Sequence, residues 1–106
     1  MNLIDSNIAK LKTACLQNRV SQLYAFGSVL TDEFSPDSDV DLVVDFDESD
    51  PLAYGELYFN LKFELEAILG RKVDLLEAKA IRNSTLRQSI DKSKRLVYER
   101  RSQSVA

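Results

Sequence analysis

The sequence predicts an α+β domain in which helices pack on a small mixed β-sheet. Three observations carry this. Residues 39–46 alternate strictly, with Asp39, Asp41, Val43 and Asp45 pointing one way and Val40, Leu42, Val44 and Phe46 the other, as a strand with one face in the core requires. Leu57, Leu61, Leu65, Ile68 and Leu69 then recur at helical spacing until Gly70 stops them, so residues 52–69 read as a helix. Short apolar runs at Val20–Phe26 and Val73–Glu77 supply further strands.

The remaining elements follow in order. Ile4, Ile8, Leu11 and Cys15, with Leu16 beside them, predict an amphipathic helix over 3–18. Residues 30–38, interrupted by Pro36, read as a turn or helical stub and then a loop. A helix over 82–92 and a short strand at 95–98 complete the order α-β-β-α-β-α-β. The domain spans 1–99, and 100–106 form a polar tail.

Composition narrows the chemistry. At 106 residues, 44% of them apolar and 29% charged, the chain suits one soluble domain with a single core. No apolar run reaches the ~20 residues of a membrane span, and the N-terminus lacks the basic-then-apolar pattern of a signal peptide. Cys15 is the only cysteine, which excludes an internal disulfide and a multi-cysteine zinc site. The expected location is the cytoplasm. Histidine is absent, so histidine-dependent nucleophilic catalysis and histidine-bound zinc are excluded. The chemistry must come from carboxylates, hydroxyls, lysine or arginine, a donor set that suits hard ions such as Mg2+.

The net charge of −3 conceals an asymmetry: residues 1–61 carry 3 basic and 11 acidic side chains, residues 62–106 carry 11 basic and 6 acidic ones. Ten acids lie between Val20 and Leu61, where there is no Lys or Arg. A solvated acidic loop accounts for most of 45–50, but not for acids set inside an apolar strand. Asp39 and Asp41, two apart on one strand face, have Cα atoms about 6.5–7 Å apart. Held that close they repel unless cations lie between them. Asp74, inside the apolar run Val73-Asp74-Leu75-Leu76, is the candidate third ligand for two ions ~3.5–4 Å apart. Its structural alternative is an ion pair with Arg71 or Lys72. Gly27-Ser28, at the end of a strand ten residues ahead of the aspartate pair, allows close backbone approach to a phosphate and offers amide and hydroxyl donors. An EF-hand loop, with Asp37, Asp39, Asp41, Asp45 and Glu48 as ligands, fails because Leu42 stands where the sharp turn needs glycine.

Gly27-Ser28, Ser38-Asp39-Val40-Asp41-Leu42 and Val73-Asp74-Leu75 together resemble the MNT-type minimal nucleotidyltransferases of the DNA polymerase beta superfamily. The resemblance runs through the closing Leu86-Arg87 and Leu96-Val97-Tyr98-Glu99 segments. It implies a polymerase beta-like fold, with Gly27 and Ser28 holding the triphosphate. It also implies that Asp39 and Asp41 bind two Mg2+ ions, and that Asp74 helps bind the catalytic ion and assists deprotonation of the acceptor. ATP is the implied substrate. The implied partner is a HEPN-domain toxin that receives AMP on a tyrosine, which would make this chain its antitoxin. One departure stands out: where many members carry Arg-Gly, this sequence has Thr31-Asp32. That leaves open a binding antitoxin or subunit that keeps the fold and nucleotide without transfer, and a transferase acting on a small-molecule acceptor. No stripe of basic and aromatic residues favours direct nucleic-acid binding, and no membrane partner is expected.

Overall fold

The computed structural model describes residues 3–31, 35 and 37–100. The elements are α1 (Leu3–Ser6), α2 (Ile8–Gln17), β1 (Val20–Phe26), a 3-10 turn (Gly27–Leu30), β2 (Val40–Phe46), α3 (Pro51–Leu69), β3 (Val73–Glu77), a second 3-10 turn (Ala78–Ala80), α4 (Ser84–Ser93) and β4 (Arg95–Glu99). This is the expected α+β order with one refinement: the first helix is broken at Asn7. The Asn7 side chain donates to the Leu3 carbonyl at 3.0 Å while its own amide closes a tight turn on Ile4 at 3.1 Å. Side chain and backbone thus offer an alternative to the helical ladder, as asparagine commonly does. Leu16 lies outside the buried stripe, exposed on α2.

The four strands form one mixed sheet in the order β3-β2-β1-β4. β1 pairs antiparallel with both β2 and β4, and β2 pairs parallel with β3. Parallel neighbours need a crossover connection, and α3 supplies it. α3 starts at Pro51, which needs no backbone donor in the first turn, with the Asp50 side chain accepting from the Ala53 amide. It ends at Gly70, whose left-handed φ of +70° lets the chain reverse toward β3. Near that end the Glu66 carboxylate accepts the Val73 amide at 3.1 Å, so the helix fixes the start of β3. The outer edge of β3 is held as well, because the Tyr58 hydroxyl donates to the Leu75 carbonyl at 2.7 Å.

Leu11, Ala14 and Cys15 of α2 and Leu61, Leu65 and Leu69 of α3 enclose one core with Leu23, Ala25, Val40, Leu42, Val44, Phe46, Val73 and Leu75 of the sheet. Burial pushes the Cys15 thiol up to about 12, which makes it an inert packing group. On the opposite sheet face Val43 is also buried, against the expectation for an outward position. Tyr24, Val43, Ile81 and Ile90 line a shared pocket there, so the segment ending in α4 covers this part of the sheet. Arg100, expected in the tail, returns to the sheet: its amide donates to the Ser21 carbonyl at 2.8 Å and its guanidinium pairs with Asp47. Residues 101–106 lie outside the described residues.

Candidate active site

β1 delivers Phe26 directly opposite Asp41 on β2, and the chain then turns at Gly27. Gly27 has φ +77°, and a Cβ built on it would stand 2.5 Å from Asp41 Oδ2. The conformation therefore favours glycine, and a Cβ would in addition push the Asp41 carboxylate from its place. The 3-10 turn that follows is closed by Thr31, whose amide and hydroxyl donate to the Ser28 carbonyl at 2.9 and 3.0 Å. Thr31 thus acts as a backbone closure at the position where the family resemblance led one to look for arginine. Asp32 lies outside the described residues.

Asp41 and Asp74 are exact register partners on the parallel strands β2 and β3, which sit about 4.8 Å apart. They share one face of the sheet. Asp41 is half-buried and Asp74 exposed. Asp39, expected as the first residue of the strand, lies one residue before β2 begins and is exposed. The pKa of Asp41 is raised by burial first, then by the charges of Asp74 and Asp39. The carboxylates the sequence singled out therefore act on one another, and Gly27 abuts the central one. Asp74 makes no salt bridge with Arg71 or Lys72. It is felt instead by the Tyr58 hydroxyl, whose pKa is raised by burial, by Glu77 and then by Asp74.

These residues fit a hard divalent cation in two respects. The donor set is entirely carboxylate oxygen, and the cradle over Asp41 is kept open only because Gly27 lacks a Cβ. Among the described residues no three acids stand together at metal-holding distance.

The sequence did not reveal how Asp39 is held. Arg71 Nη1 donates to the carbonyls of Ser35 and Ser38 at 2.9 and 3.3 Å, and the Lys72 carbonyl accepts the Val40 amide at 3.0 Å. The only signal available was an arginine directly after the helix-stopping Gly70, which is too common to read. Of the basic residues near the C-terminal end, Lys94 pairs with Asp91 and lies 4.4 Å over the Tyr24 ring, while Arg95 pairs with Asp5. Arg101 lies outside the described residues.

A mixed sheet that brings a glycine-serine turn against a carboxylate set on neighbouring strands is the build of a nucleotidyl-transferring domain. The family model for polymerase beta nucleotidyltransferases matches residues 9–103. A Methanocaldococcus jannaschii protein, provisionally named a protein adenylyltransferase, is 39% identical over 80 residues, 76% of this chain and 77% of that one. A solved structure provisionally described as a minimal nucleotidyltransferase matches with TM-score 0.72 at 28% identity, over 89% of this chain and 94% of the other. A chain from the complex of a tri-AMPylated Shewanella oneidensis HEPN toxin with an MNT antitoxin shares the fold, with TM-score 0.62 at 22% identity over 92% of this chain and 73% of the other. The chain belongs to the polymerase beta nucleotidyltransferase family, as a protein adenylyltransferase-like member. Among the described residues no helix is long and apolar enough to cross a membrane.

Proposed function

We propose that this protein is a Mg2+-dependent adenylyltransferase that moves AMP from ATP to a tyrosine hydroxyl of a HEPN-type toxin, acting in the cytoplasm as the antitoxin of that partner. The observation that carries the reading is the contact of Gly27 with Asp41, in register with Asp74, which places a phosphate-compatible turn beside a carboxylate pair. Asp39, Asp41 and Asp74 would hold two Mg2+ ions, which supply charge neutralisation for the triphosphate and the attacking oxygen. Gly27 admits a phosphate close to the backbone, and Ser28 offers its hydroxyl and amide as donors. The acceptor oxygen bonds to the α-phosphorus as the bond from that phosphorus to the bridging oxygen breaks. Pyrophosphate leaves, and Asp74, whose exposure on β3 supports the role, would assist in taking the acceptor's proton.

Incubation of the protein with α-labelled ATP, Mg2+ and the toxin tests this. Label should appear on the toxin and be lost with Asp39→Asn/Asp41→Asn. Thr31, bonded to Ser28 at the position where many family members carry arginine, favours a second reading, an antitoxin that binds without transfer. That reading wins if no label appears and the double variant still neutralises the toxin. Turnover with no protein partner present would instead point to a small-molecule acceptor.

A further inference from the structure

Asp39 precedes β2, so the sheet ladder does not fix it as it fixes Asp41 and Asp74. What fixes the approach to Asp39 is the corner between α3 and β3. Arg71 Nη1 reaches the carbonyls of Ser35 and Ser38, residues that are themselves tied together: the Ser38 amide donates to the Ser35 carbonyl at 3.0 Å, and the Ser35 amide to the Ser38 hydroxyl at 3.1 Å. Ser38 is bonded covalently to Asp39, and on the other side of Asp39 the Val40 amide is held by the Lys72 carbonyl. Asp39 is thus spanned by two clamps, and both belong to a corner that leads within three residues to Asp74.

We infer that Arg71 is a positioning residue that sets Asp39 against Asp74, so that the distance between these two carboxylates is fixed by the α3–β3 corner rather than by the loop bearing Asp39. The inference rests on the reading of Asp39 as a metal ligand. Charge-assisted hydrogen bonds suit this task, because one permanently charged nitrogen, Nη1, serves both carbonyls and so ties Ser35 and Ser38 to a single point. Arg71 touches neither substrate nor ion in this scheme; it acts through Asp39.

The test uses Mn2+ as the probe, titrated into the 106-residue protein and followed by water-proton relaxation, with no turnover required. Arg71→Ala should weaken Mn2+ binding about tenfold, comparable to Asp39→Asn. The double variant Arg71→Ala/Asp39→Asn should be no weaker than Asp39→Asn alone, because both changes remove the same interaction. Arg71→Ala/Asp41→Asn should lose more than Asp41→Asn alone. Arg71→Lys keeps the charge on a shorter, more flexible stem and should fall between; it also gives the answer if the alanine variant does not fold. Affinity of Arg71→Ala within twofold of the parent, or a loss that adds in full to that of Asp39→Asn, overturns the inference while leaving the metal site standing. Parent protein whose Mn2+ affinity is indifferent to Asp39→Asn and Asp41→Asn overturns the metal reading and this inference together.

Discussion

On β2, Val40, Leu42, Val44 and Phe46 are packed into the core with Leu11, Leu61 and Leu65, while one residue out of phase Asp41 stays half-exposed beside Gly27 and Asp74. Seven residues therefore serve two purposes that meet different physical demands. The inward face gains stability from apolar burial. The outward face brings like charges together and holds a carboxylate where its ionised form is disfavoured. Because side chains alternate exactly, neither face can be shifted without the other. Stability and site chemistry are thereby separable by single substitutions, although they lie on adjacent residues.

The largest expected effect tests the inward face. Leu42→Ala leaves a void at a position with 0% exposure and should cost about 2–5 kcal/mol in urea unfolding. A cost within ~1 kcal/mol would show that the core closes around the gap and that the faces are less distinct than they look.

Gly27→Ala comes next and strikes the outward face. A residue with a Cβ in the left-handed region costs about 1–2 kcal/mol, and here the added carbon must also displace Asp41 Oδ2. The unfolding free energy should fall by about that amount, while Mn2+ binding and label transfer fall toward the level of Asp41→Asn. Binding unchanged beside a normal stability loss would detach Gly27 from the site.

The smallest effect is a slope. An acid whose pKa is higher folded than unfolded binds more protons in the folded state between the two values. Its contribution then favours folding on the acid side and is lost as pH rises through the folded value. Asp41 is such a group, so the ion-free protein should lose this contribution as pH climbs above the ordinary aspartate range. Asp41→Asn should flatten the dependence in unfolding measured across acid to neutral pH. Divalent ions, which bind the deprotonated form, should restore stability on the neutral side. An unchanged slope in Asp41→Asn would remove the electrostatic half of the comparison.

Much of this arrangement was legible before any coordinates. Periodicity placed β2, α3 and β3 within a residue, because their apolar stripes are strong and their ends are marked by Pro51 and Gly70. The alternation in 39–46 also gave the phase of Asp41 correctly. What escaped is non-local. The exception is the break at Asn7, a local effect of a side chain bonding the carbonyl four residues back, which apolar spacing does not register; the burial of Val43 depends on a segment that arrives some forty residues later. Pairing of β2 with β3 in register, which sets Asp41 beside Asp74, cannot be read from either strand alone. The same holds for Arg71, whose partners Ser35 and Ser38 lie more than thirty residues earlier.

β3 has only five residues and a ladder on one side, and among the described residues its outer edge is held by side chains of α3 alone, Glu66 at the Val73 amide and Tyr58 at the Leu75 carbonyl. Edge elements of this kind belong to the first cooperative units to open under native conditions, well before the central hairpin. Asp74 therefore belongs to a different foldon from Asp41. Amide exchange at Leu76, which faces β2, should outpace that at Val43, which faces β1, so that the site is dismantled by a local opening that leaves the rest of the domain intact.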